Sequence, residues 1–209
     1  ELAGPGSPSP DGTLLSYVDY NTCNLAIAET ATDRRWQVTA NPAVDDPDHG
    51  CAGTSRFTRQ GSELFYVWTI ESGSRHVDEI RTIGIHGGAA RTLWRAPEDS
   101  DIALQHWAGD DRFLLATVQG AEGNQLVVIA TTDGTVRAAK ATGRWMPDVA
   151  SLSPDGSMIA YARPTAVDPS DSVVVVAGVE GGPEEIVAQS PSMDASPSWT
   201  RDGRYVLFH

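Results

Sequence analysis

Asp48-His49-Gly50-Cys51 puts a carboxylate, an imidazole and a thiol within four positions, residue types that ligate transition metals. Zinc takes its ligands in two such groups, and no second pair accompanies this lone His-x-Cys, so the run is weak as a metal motif. Asp101, Asp148 and Asp194 form a second set, each a few residues ahead of a short segment that precedes a turn. Carboxylates converging from three such places would suit a hard cation such as Ca²⁺. They would equally cap loops through their own backbone, and their unequal offsets from the following turns favour that plainer role. Cys23 and Cys51 are the only cysteines. A disulfide between them would enclose 27 residues. Closing a loop of that length contributes roughly 3 kcal/mol in the chain-entropy picture and implies an oxidising compartment. Two free, partly buried thiols are the alternative, separated from it by a thiol count. Catalytic signatures are missing: there is no Gly-x-Ser-x-Gly elbow, no Gly-rich phosphate loop and no His-Glu-x-x-His. The expectation is a chain without catalytic machinery of its own and without a required cofactor.

What positions these residues follows from size, charge and repetition. The 209 residues suffice for one domain with a sizeable core. A net charge of −13 argues against a broad nucleic-acid surface, which must be cationic. No stretch approaches the ~18 apolar residues of a membrane-spanning helix. The first residues, Glu1-Leu2-Ala3-Gly4-Pro5, lack the basic and apolar regions of a signal peptide, one of which could have been removed.

Five turn segments recur: Ser9-Pro10-Asp11-Gly12, Thr58-Arg59-Gln60-Gly61, Gly109-Asp110-Asp111, Ser153-Pro154-Asp155-Gly156 and Thr200-Arg201-Asp202-Gly203. Their last residues are spaced 49, 50, 45 and 47 apart. Each is followed by a short apolar run, such as Leu64-Phe65-Tyr66-Val67-Trp68 or Met158-Ile159-Ala160-Tyr161-Ala162, which reads as a buried strand. Pro fixes φ, Asp bonds the local backbone and Gly accepts positive φ, so the motif is a tight turn. Further strands at 79–86 and 90–94, 125–130 and 136–140, and 173–179 and 185–188 are joined by Gly-containing turns. Strands at 24–29 and 35–39 belong to the first repeat. Four strands, A to D, per repeat of about 47 residues predict an all-β β-propeller of four-stranded antiparallel blades, about four and a half in this chain. The blades fall at about 1–40, 53–94, 102–140, 149–188 and 196–209, the last a half blade. A β-sandwich is the alternative, but it needs no repeat.

Ser153-Pro154-Asp155-Gly156-Ser157-Met158-Ile159-Ala160-Tyr161 and 196–208, with the first repeat, resemble the repeat of the TolB-like (PD40, WD40-like) bacterial β-propellers. The resemblance spans nearly the whole chain. Arg59-Gln60 and Gly109-Asp110-Asp111 depart from it. It implies the fold, not the function, because the family repeat serves in translocation proteins, sensor portions of kinases and regulators, and propellers ahead of prolyl-oligopeptidase-type hydrolases. Family members usually carry about six blades or more. The expectation is therefore a piece of a larger bacterial protein, its ring completed by a further segment or a second copy.

In a propeller the B–C and D–A connections share one face. The longer connections, 41–52, 69–76, 95–101, 119–124, 141–148, 164–172 and 189–196, all belong there. They carry 12 acids and three bases, so the negative charge gathers on one face and favours a basic protein or peptide partner. The predicted contact residues are Asp45, Asp46, Asp48, Glu98, Asp99, Arg144, Trp145, Asp168 and Asp171. Trp145 is an aromatic anchor beside Arg144, unless it folds back over a blade. His106 on an inner strand reads as a structural histidine. The function expected is a non-catalytic interaction or sensing module, extracytoplasmic, with a substrate-gating propeller of a prolyl-oligopeptidase-like hydrolase as the alternative.

Overall fold

The computed structural model describes residues 7–107, 111–143, 145, 149–165, 171–190 and 196–208. It is all-β, and the chain divides into two compact units, Glu1–Leu104 and Gln105–His209.

In the first unit β1 (Ser7–Pro8), β2 (Leu14–Asp19), β3 (Asn24–Glu29) and β4 (Arg35–Gln37) form one antiparallel sheet in chain order. β5 (Gly50–Phe57), β6 (Glu63–Ser72), β7 (Arg75–Gly84) and β8 (Arg91–Arg95) form the next, and β9 (Asp101–Leu104) ends the unit. The second unit holds β10 (His106–Trp107) and the antiparallel set β11 (Phe113–Gly120), β12 (Gly123–Ala130) and β13 (Val136–Gly143). Then follow β14 (Ala150–Leu152), β15 (Met158–Pro164), β16 (Ser172–Gly178) and β17 (Glu185–Ser190), and the hairpin β18 (Ser198–Trp199) and β19 (Val206–Leu207). These are propeller blades. One departs from the expected four antiparallel strands, because β10 joins β14 in parallel and makes that sheet five-stranded.

Blade strands are buried on both faces, so their sequences run apolar without strict alternation. Leu64, Tyr66 and Trp68 of β6 pack with Leu25, Ile27 and Ile83 in the first core. Leu115, Leu126, Leu152, Ile159, Tyr161 and Val175 build the second.

The turn motif works as its residues require. The Ser9 hydroxyl donates to Asp11 Oδ1 (2.6 Å) while accepting from the Leu14 N–H (2.9 Å), and Asp11 also takes the Thr13 N–H (3.0 Å). Ser153, Asp155, Ser157 and Met158 repeat this network, and Thr200, Asp202, Arg204 and Tyr205 repeat it again. Gly12, Gly61, Gly156 and Gly203 hold φ between 69° and 74° there, and Asp111 takes the same place at φ 65° without being glycine. The Ser9 hydroxyl first, and then Thr13, hold the Asp11 carboxyl down to about 2. Ser153 and Thr200 likewise lower Asp155 and Asp202. A carboxylate whose pKa falls on folding stabilises the fold fully above its unfolded value near 4, and loses that contribution as pH drops toward the folded value. Acid titration should therefore weaken the fold between about pH 4 and pH 2. In Asp11→Asn that part of the slope should diminish when denaturant midpoints are compared with wild type. An unchanged slope would contradict the turn's role.

Inner strands are tied across blades by side chains one repeat apart. Thr54 Oγ1 accepts the Leu104 N–H (3.0 Å), Gln105 Oε1 the Ala150 N–H (3.0 Å) and Ser151 Oγ the Trp199 N–H (3.4 Å). Two indoles also bridge residues one repeat apart: Trp36 Nε1 donates to Ile85 O (2.7 Å), away from the inner strands, and Trp199 Nε1 to Ser151 O (3.1 Å) beside the backbone bond.

Two connections expected to be long loops are instead ladder. β6 and β7 pair through Ser72 and Arg75 across a turn at Gly73 (φ 65°), so 69–76 is a hairpin tip. β11 and β12 pair through Gly120 and Gly123, closing 119–124 in the same way. Glu71, Ser72, Gln119 and Glu122, which made these segments look like loops, are exposed at the tips of long hairpins.

Candidate interaction face and the Arg81 cleft

The longest described connection of the first unit, 38–49, is held at its neck. Asn41 Nδ2 donates to Gly50 O (2.6 Å) and Asn41 Oδ1 accepts from Gly50 N (3.2 Å). Thr39 Oγ1 bridges Asn24 and the Leu25 N–H (both 2.9 Å). Cys23 and Cys51 are joined by a disulfide with Cα atoms 4.5 Å apart, fixing the β2–β3 turn to the start of β5. Inside the loop, Asp46 accepts the Asp48 N–H (2.8 Å) and the Pro42 carbonyl meets His49 Nδ1 (2.8 Å), so His49 is spent on the loop itself. Asp45 and Asp46 stand exposed on this braced scaffold.

Asp48 does something else. Its carboxylate receives Arg81 Nη1 (3.2 Å) and Nη2 (2.5 Å) as a bidentate pair. Arg81 also gives Nε to Glu79 Oε2 (2.8 Å). Glu79 further accepts from Thr92 Oγ1 (3.0 Å) and Arg95 Nη1 (3.2 Å). The Arg81 and Glu79 side chains are 9% and 6% exposed, whereas that of Asp48 is 55% exposed. Burial works against the charge on Arg81, but the Asp48 and Glu79 carboxylates outweigh it and hold its pKa above the ordinary value. Trp68 lies under the guanidinium, 5.5 Å from ring centroid to Cζ, and its Nε1 donates to Asp48 O (3.2 Å). Burial pushes the neighbouring Tyr66 hydroxyl up to about 12. A cleft of about 350 Å³ lies here, lined by the loop, β6, β7 and the approach to β8.

Glu98 pairs with Arg75 on the surface. Asp99, at φ 58°, takes the His76 N–H (3.1 Å), and Asp101 Oδ1 lies 3.2 Å from His76 Nε2. Asp78 is buried beside them, bonded to the Ile102 N–H (2.8 Å), and burial raises its pKa. Asp101 thus faces a histidine, and Asp148 and Asp194 lie outside the described residues. Among the described residues no three metal-ligating side chains gather.

In the second unit, Trp145 is partly buried against Tyr161 (centroids 5.9 Å apart), so it is core rather than an open anchor. The Tyr161 hydroxyl meets Glu184, which also takes Arg163 Nε (2.8 Å) and Lys140 Nζ (3.3 Å). Burial raises Tyr161. Asp171 accepts the Thr165 N–H at its carbonyl (2.9 Å). Arg144 and Asp168 lie outside the described residues. Sequence reasoning missed Glu79 and Arg81, although three charges, Asp78, Glu79 and Arg81, among the apolar Val77, Ile80 and Ile83 of one strand were a visible signal of buried ion pairing.

The fold is that of the TolB-like β-propellers. The chain superposes over its full length on a protein assigned as TolB in Agrobacterium tumefaciens, at 17% identity and a TM-score of 0.69, covering 69% of that protein. It matches the β-propeller domain of the Trilobed protease from Pyrococcus furiosus, described as having an open velcro topology, at 16% identity and TM-score 0.59 over 99% of this chain and 62% of that one. It matches the acylaminoacyl peptidase of Pyrococcus horikoshii at 14% identity and TM-score 0.62, over 98% of this chain and 35% of that one. No protein-family profile matches the sequence, and no curated protein matches it. No helix among the described residues is long and apolar enough to cross a membrane.

Proposed function

We propose that this chain is a non-catalytic propeller module of a larger bacterial protein that binds a basic protein or peptide segment on the loop face of its first unit. The observation carrying this reading is the exposed pair Asp45 and Asp46 on a loop braced by the Asn41 clamp and the disulfide. Rigid presentation lowers the ordering cost of binding, and unpaired surface charge steers an oppositely charged partner. The disulfide and the likeness to a TolB protein support an extracytoplasmic setting. A further propeller segment or second copy completing the ring belongs to the same proposal.

The test is calorimetric titration with Lys/Arg-rich peptides at low and high salt. Binding should weaken with salt, and Asp45→Lys with Asp46→Lys should reduce affinity about tenfold or more while the circular dichroism is unchanged. Salt-independent binding, or binding indifferent to both substitutions, would discard this face.

The likeness to peptidase-associated propellers favours a second reading, in which the chain gates substrate for a hydrolase domain of the same protein. A Gly-x-Ser-x-Gly domain in the parent reading frame, with peptidase activity that falls when this propeller is deleted, would select it.

A further inference from the structure

We infer that the Arg81 cleft is a carboxylate-binding site in which Asp48 is a tethered occupant. This inference does not depend on the partner proposed for the loop face. Arg81 is buried, and its planar fork is committed on two edges. The Nε edge belongs to Glu79, which is itself buried and has Thr92 and Arg95 as further donors. The other edge, Nη1 and Nη2, holds Asp48 in the two-point geometry that a guanidinium offers to any carboxylate, while Nη2 also lies 2.7 Å from Glu79 Oε2. Of the two carboxylates on Arg81, Glu79 is buried and Asp48 is half exposed.

The cleft wall is built for a planar anion. Trp68 fixes the guanidinium from below, and Tyr66 stands beside it on the same strand. Thr39, Pro42 and Ala90 complete the rim, leaving about 350 Å³, room for more than one carboxylate. The loop need not open for exchange. Its neck is closed by Asn41 and Gly50, and its interior by the Asp46 and His49 bonds, so Asp48 leaves by side-chain rotation alone. A carboxylate from solution then takes the Nη1–Nη2 edge while Asp48 turns to water. Because Asp48 occupies the site intramolecularly, apparent affinity in the wild type is reduced by the fraction of molecules in which it has swung away.

The experiment follows Trp fluorescence during titration with acetate, using wild type, Asp48→Ala and Asp48→Asn. Asp48→Ala should bind acetate about tenfold or more tightly than wild type, with chloride unable to reproduce the change. Asp48→Asn keeps the side chain's shape without its charge and serves if the alanine variant does not fold. Adding Arg81→Lys to the folded variant should abolish the gain, because an ammonium cannot make the two-point contact. A short peptide without acidic side chains, compared with its C-terminal amide, then separates the two sources of the carboxylate. Preference for the free acid places a chain terminus in the site, and equal weak binding of both beside tight acetate places a small acid there. Acetate affinity unchanged by both Asp48 substitutions would overturn the inference and leave Asp48 as a loop clamp.

Discussion

Glu79→Ala should lower the free energy of unfolding by about 3–5 kcal/mol, the loss typical when one member of a buried ion pair is removed. The side chain is 6% exposed and sits between two arginines, Arg81 and Arg95. Its removal leaves Arg81 buried with one remaining carboxylate, the half-exposed Asp48. Arg95, 60% exposed, can turn to solvent at little cost, so the damage concentrates on Arg81. Glu79→Gln should cost less, because an amide oxygen still accepts from Arg81. Urea unfolding of the three proteins measures the ordering. A loss below about 1 kcal/mol for alanine would mean that the pair offsets no more than its own desolvation.

Gly156→Ala should be far more damaging than Gly12→Ala, although both glycines close the same turn at φ 74° and 73°. The backbone term is shared, about 1–2 kcal/mol for placing an L-residue in the left-handed region. At Gly12 a new methyl meets nothing within 4 Å, but at Gly156 it falls 2.5 Å from Cδ2 of Phe113. That ring is capped by Arg112 and Arg137 at 5.9 and 5.5 Å, so it has neighbours to displace before it can retreat. The difference between the two variants should be about 1–3 kcal/mol, the usual range for overpacking. Denaturation midpoints at constant m-value report it, and equal losses would show that the ring moves freely.

The blade repeat was legible because its turn is written in local chemistry. Ser153, Asp155 and Gly156 bond to each other and to residues next to them, so their spacing in sequence is their spacing in space. Strand ends were not legible where polarity misled. Glu71, Ser72 and Ser74 look like loop, yet Glu71 and Ser72 are ladder residues because both strands run past the core before turning. The Arg81 cleft was hidden for another reason: Asp48 and Arg81 are 33 residues apart and meet only because the loop lies against Trp68 of β6 and Arg81 of β7. Asp48 was singled out as a partner contact, and nothing near it in sequence shows that its charge is already engaged. Trp145 was legible as an aromatic out of place, but its contact with Tyr161 is tertiary.

The inner-strand bonds between residues one repeat apart bear on how such a chain can be lengthened by recombination. Thr54 serves Leu104, Gln105 serves Ala150 and Ser151 serves Trp199, so in these three places an acceptor carried by one repeat is used by the next. A duplication or deletion of a whole repeat, cut at matching positions, leaves every such N–H with a partner. A cut out of phase strands one buried amide at the junction, which costs as much as a lost core contact. Selection on junctions alone would then keep gene rearrangements in register with the blades, even when the side chains of the acceptors have diverged to threonine, glutamine and serine.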